Sequence, residues 1–269
     1  MEIILNYQNT NTFNQLIAEL KYALNSLNEK DLLKILLSLS KDSIKDTFRS
    51  KKEILIALKN MTSKKINEYR ENGVINSLEK DFRTTKDFIL NIPDKAKDSV
   101  SAFKKLSREE KIELLVSIIL GLTIFFVAAG GSDIEGGIPD LDLKLGSIAM
   151  HRSIWFHSII AGFTFEFLLR LAYKIIEIVI EHLPVNHHNL WDRIAEFISR
   201  NKNMTISALW LGIAAHLIKD TGLLTGKFKA YADLPVTGLS IEYHKAIMGA
   251  NGLASSLIGV NNLKNNYVK

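Results

Sequence analysis

The chain has no cysteine, only four prolines (Pro93, Pro139, Pro184 and Pro235) and few clusters of Gly and Ser. The missing cysteines exclude disulfides, thiolate metal ligands and a cysteine nucleophile. With so little proline in 269 residues, long stretches are free to stay helical. No basic n-region precedes an apolar core at the start: Met1-Glu2-Ile3 runs into polar Asn6, Gln8 and Asn9, so no signal peptide is expected. No low-complexity tract or internal repeat stands out. Phosphate-binding loops, dinucleotide fingerprints, Gly-x-Ser-x-Gly elbows and zinc-ribbon spacings are also missing.

What is present is unevenly spread. Residues 1–113 hold 21 of the 34 Lys and Arg and 17 of the 29 Asp and Glu, so the front of the chain is charged and the back is much more apolar. The basic residues at the front are interspersed with acids, which does not indicate a nucleic-acid partner. These features predict an all-α protein: an N-terminal soluble helical bundle (1–110) followed by a membrane-associated helical domain (111–269). The front reads as a string of short amphipathic helices over Leu16–Leu24, Leu32–Leu39 and Ile54–Leu58, with caps at Asn28 and Ser40 and a further start at Asp94. Ser107-Arg108-Glu109-Glu110 has the spacing of a capping box. Such a bundle suits a regulatory role, a protein partner or a homo-oligomer.

From Leu114 to Gly131 there are eighteen residues without a charge. At 1.5 Å per residue this run is just sufficient to cross a hydrocarbon core. Lys104, Lys105, Arg108 and Lys111 precede it, which places that end in the cytoplasm, with membrane lipid as an expected partner. Three later apolar segments, Ser153–Ile180, Met204–Ile218 and Ala246–Val260, are more ambiguous. The first carries a polar stripe of Glu166, Arg170, Lys174, Glu177 and Glu181, and the last is rich in Gly, Ala and Ser.

The residues able to carry chemistry lie between these segments. Asp140 and Asp142 flank Leu141 after Pro139. In an extended segment, side chains at i and i+2 point the same way, so both carboxylates can face one cation. His151 and His157 are expected to begin the next helix, and His216 and Asp220 share a helix face four residues apart. If the Leu114–Gly131, Ser153–Ile180 and Met204–Ile218 segments alternate in direction, all six residues meet at one level. Imidazoles mixed with carboxylates favour a divalent transition metal, Zn or Mn, over calcium, as one ion with an open position or two ions. Arg152 has the fork geometry of an anion clamp. His244 is a further donor candidate, Asp133 and Glu135 read as loop charges, and Glu166 with Arg170 reads as a structural pair.

Together, Pro139-Asp140-Leu141-Asp142, His151-Arg152, His157-Ser158 and Gly212-x3-His216-x3-Asp220-Thr221-Gly222 resemble the inner-membrane metal-dependent hydrolase family (YdjM-like). Its members carry Pro-Asp-x-Asp-His, His-Arg-Gly-x-Thr-His-Ser and a later His-x3-Asp on membrane helices. The resemblance spans residues 112–226. Leu143 stands where the family has a histidine, Ser153 replaces the glycine, and Phe156 replaces the threonine. The charged front has no counterpart there. What the resemblance implies is hydrolysis of a phosphoester or other ester, possibly in a lipid, with Asp140, His157 and Arg152 as catalytic residues. It also implies Asp140, Asp142, His151, His157, His216 and Asp220 as metal ligands. A reading from another class is a non-catalytic oligomeric pore or membrane-damaging effector with a structural metal site.

Overall fold

The computed structural model describes residues 12–27, 29–72, 100–132, 134, 136–145, 152–222, 230–234 and 241–264. The chain is all-helical as expected, with no strand among the described residues. The elements are α1 (Thr12–Ser26), α2 (Glu29–Asn72), α3 (Arg108–Ala129), a 3-10 turn (Pro139–Leu141), α4 (Asp142–Leu145), α5 (Ile159–Glu181), α6 (Leu190–Asp220) and α7 (Ile241–Lys264). The expected starts at Asn28 and Asp94 lie outside the described residues. Ser40 is no helix start: it lies inside α2, a single helix of 44 residues. With no Gly or Pro between Glu29 and Asn72, nothing in that stretch breaks the backbone hydrogen-bond ladder. Met204–Ile218 likewise belongs to a longer helix, α6.

The chain divides into two compact units, Met1–Lys51 with Gly121–Lys269, and Lys52–Leu120. This differs from the boundary expected between 110 and 111. The early helices join the C-terminal unit through buried polar contacts. The Glu19 carboxylate accepts from His188 N at 2.8 Å and from Trp191 Nε1 at 2.9 Å. Lys51, fully buried, lies 3.1 Å from Glu166 Oε2 and donates to Asn262 Oδ1 at 3.1 Å. Arg170 lies 2.8 Å from Glu166 Oε1, and the Trp210 indole donates to Oε2. A buried charge is tolerable only when paired. The upper part of the α5 stripe is therefore a packed network, with Glu166 and Arg170 paired as the sequence suggested.

In the smaller unit, α3 begins with the capping box read from the sequence. Ser107 N donates to Glu110 Oε2 at 2.7 Å, and Glu110 N donates to Ser107 Oγ at 3.2 Å. The whole of α3 is the one helix among the described residues long and apolar enough to cross a membrane, and only 11% of its most apolar stretch is covered by protein.

The core of the larger unit is α6, which packs along α7 and against α5. Ile206, Trp210, Ile213 and Leu217 of α6 are fully buried. Each stabilises by about 1.5–3 kcal/mol relative to exposure. Ala128, Ile138, Ala161 and Met248 complete the apolar cluster beneath the site. Gly212 permits α6 to approach the last turn of α3: a Cβ there would lie 2.4 Å from Phe125 O and 2.7 Å from Ala128 Cβ. Gly212→Ala is expected to lower stability by about 1–3 kcal/mol, as overpacking does. Thermal unfolding followed by circular dichroism measures it, and an unchanged midpoint would contradict this packing.

Candidate metal centre

Asp140 sits on the 3-10 turn that Pro139 opens, proline being suited to the first helical position. The segment is thus helical and not extended as expected, and this separates the two carboxylates. On a helical path, residues two apart point to different sides. Asp140 Oδ2 accepts from Gly136 N at 2.7 Å, and Oδ1 turns towards two imidazoles. Asp142 turns the other way. Its Oδ2 accepts from Arg152 N at 2.7 Å and Ser153 N at 2.9 Å and lies 3.4 Å from His157 Nδ1.

His157 does not lie inside the following helix. Ser158 takes the N-cap with extended backbone (φ −146°, ψ 179°), and its hydroxyl accepts from Ile160 N at 3.1 Å, so α5 starts at Ile159. His157 ends the turn before it, with its N–H on Ser153 O at 2.8 Å. Tyr231 Oη donates to His157 O at 2.7 Å, and the Asp233 carboxylate accepts from Ser153 Oγ at 2.8 Å and Ile154 N at 3.0 Å. The Tyr231–Asp233 loop is therefore a brace for the histidine turn, which the sequence did not announce.

His216 is placed by α6. Its Nδ1 lies 3.0 Å from Ala129 O, the last residue of α3. Donation to that carbonyl puts the proton on Nδ1 and leaves the Nε2 lone pair facing the centre, the usual arrangement behind a metal-bound imidazole. His216 Nε2 is buried and lies 3.6 Å from Asp140 Oδ1 and 3.4 Å from Asp220 Oδ2. His157 Nε2 lies 3.4 Å and 3.5 Å from the same two oxygens. These separations exceed the reach of a good N–H···O bond. They match the roughly 3.4 Å between neighbouring donors bound at about 2.1 Å to one tetrahedral ion. Asp140, His157 and His216 each offer an atom within 4.8 Å of the others and so could hold one metal ion.

Four of the six expected ligands thus converge, Asp140, His157 and His216 most tightly and Asp220 on the remaining side. Asp142 addresses the far nitrogen of His157, so it orients a ligand. His151, Asp133 and Glu135 lie outside the described residues. His244 is buried behind Tyr231, where its Nδ1 accepts from Tyr231 N at 3.2 Å. Arg152 Nη1 lies 2.6 Å from Asp220 Oδ2, and its backbone is left-handed at φ 70°. That conformation costs a non-glycine residue energy and persists where the surroundings over-determine it. Here Asp142 holds the Arg152 N–H and Asp220 holds its guanidinium.

The charge balance favours cation binding. Burial alone would raise the Asp140 and Asp220 pKa values, but the two imidazoles facing them hold both well below the usual carboxylate range. Burial alone would likewise lower His216, but Asp140 and Asp220 outweigh it and push the imidazole up to about 9; His157 is raised by the same carboxylates. Comparison with protein-family models, curated proteins and solved structures finds no match to this chain.

A metal must displace protons from these imidazoles. Affinity for Zn is therefore expected to climb with pH throughout the range below about 9 and to level off above it, with protons released at pH 7. Titration calorimetry in buffers of different ionisation enthalpy measures the release; a buffer-independent heat would contradict the raised imidazole. Asp142→Asn is expected to weaken metal binding about 10–100-fold with helicity retained, because it removes the carboxylate behind a ligand. Competition with a chromophoric chelator reads this, and unchanged affinity would remove Asp142 from its orienting role.

Proposed function

We propose that this protein is a membrane-bound metal-dependent hydrolase acting on a phosphoester or other ester. The observation that carries the reading is the buried Asp140–His157–His216 group, joined by Asp220 and bordered by Arg152, at the end of the apolar helix α3. A group of two imidazoles and one or two carboxylates suits Zn or Mn, one or two ions. A bound divalent ion supplies Lewis acidity at neutral pH. The chain's own residues supply the rest. Asp140 and His157 hold the reacting centre, and Asp142 fixes the orientation of His157. Arg152 brings a guanidinium to the edge, where it suits a phosphoryl oxygen once its pairing with Asp220 is shared. The resemblance to the inner-membrane hydrolase family supports the same chemistry.

In this reading α3 crosses the inner membrane, with the basic residues before it in the cytoplasm and the metal centre at its far end. The early helices then act in regulation, self-association or binding of a protein partner. A second reading keeps the metal but drops the chemistry: an oligomeric pore or membrane-damaging effector with a structural ion. The open apolar surface of α3 supports it, since that face is free to meet lipid or other copies.

Purified protein is expected to carry about one or two divalent ions per chain and to cleave an aryl phosphodiester or a phospholipid. Asp140→Ala and His216→Ala should each lose metal and lower turnover by at least about 100-fold. Metal-free wild-type protein, or full activity in both variants, would sink the hydrolase. Dye leakage from vesicles without ester cleavage, undiminished in His216→Ala, would favour the pore.

A further inference from the structure

The turn that carries His157 also holds a tryptophan outward. Trp155 is 64% exposed, although the turn around it is pinned on every side. Its N–H reaches Ser153 Oγ at 3.3 Å, and Phe156 N and His157 N both bond Ser153 O. Asp233 clamps Ser153 and Ile154 from across the loop. The exposure is thus fixed by a rigid turn. An exposed indole has a large apolar ring and a polar N–H, which suits it to a boundary between apolar and aqueous surroundings.

Other exposed apolar residues lie near site residues in the chain and on the last turn of α3. Leu143, next to Asp142, and Ile160, just inside α5, are exposed apolar residues within three positions of site residues. Phe126 and Val127, on the last turn of α3, are exposed as well. That same turn bonds the metal centre directly, through Ala129 O to His216 Nδ1. A bilayer that took up α3 would therefore have its boundary at the depth of the site. Tryptophan is the residue type enriched at such boundaries, its ring apolar and its N–H able to reach water.

We infer that the Ser153–Phe156 turn is a lipid-contacting lip: Trp155 seats at the headgroup boundary of the bilayer that α3 crosses, and the metal centre takes its substrate from the lipids of that leaflet. The substrate class is an amphiphile whose ester or phosphoester headgroup meets the site while its acyl chains stay in the membrane. This rests on reading α3 as a span and the donor cluster as a metal centre.

The natural lack of cysteine makes the test direct. Full-length Trp155→Cys carrying a bimane label is reconstituted in phosphatidylcholine and phosphatidylglycerol vesicles, some with lipids brominated near the headgroup. Shallow brominated lipid is expected to quench the label about twofold or more beyond aqueous iodide. Intrinsic fluorescence gives a second reading: brominated lipid should quench wild type more than Trp155→Phe. Protein that floats with vesicles and keeps its metal, but whose label answers only to iodide, overturns the lip and leaves the hydrolase standing. A label shielded from both quenchers overturns it in favour of a second protein copy on this face. Protein that does not float removes the membrane reading and the lip with it, while metal-free wild type overturns the hydrolase and, with it, the claim that the site draws its substrate from the leaflet.

Discussion

The hydrogen bond between His216 and the Ala129 carbonyl ties the molecule's two characteristic features together. One partner is the last residue of the apolar helix, and the other is a donor of the metal centre. The contact forms only because Gly212, one turn before His216, lets two backbones approach where a methyl group would collide with Phe125 O. It also sets the imidazole tautomer and turns Nε2 towards Asp140 and Asp220. A packing constraint thereby becomes a chemical one.

Around this anchor several buried polar groups are held by specific partners. Asp140 spends one oxygen on Gly136 N and directs the other inward. Asp142 holds two backbone N–H groups and backs His157. The same logic recurs away from the centre, where Glu166 gathers Lys51, Arg170 and Trp210. Burial pushes the Lys51 ammonium below its ordinary value, with Glu166 opposing the shift. Networks of this kind are valuable when complete and costly when half made. They tie α1 and the part of α2 up to Lys51 to the unit that holds the candidate site, a link that the charge profile of the chain did not suggest.

The parts of the site legible in the sequence were those that depend on local spacing. His216 and Asp220, four apart, share a helix face as any such pair does, and the Ser107–Glu110 capping box formed as read. The pairing of Glu166 with Arg170 follows from the same periodicity. Spacing failed at Asp140 and Asp142, because two residues apart mean one face on a strand and different sides on a helical turn. It failed again at His157, where the Ser158 cap moved the helix start past the histidine. Tyr231, Lys51 and Glu19 gave no signal at all, since each acts on residues far along the chain.

The amino-acid sequence by itself determined the all-helical class, the strongly apolar run that becomes α3 and the residue types capable of binding a cation. These follow from composition, periodicity and the scarcity of proline, which are properties of neighbours along the chain. Tertiary structure alone decided which carboxylate faces the imidazoles, which one stands behind them, and that the chain up to Lys51 belongs with the unit holding the candidate site. Those outcomes depend on where separate helices meet, and close approach, burial and shared hydrogen bonds between distant residues leave no periodic trace in a sequence.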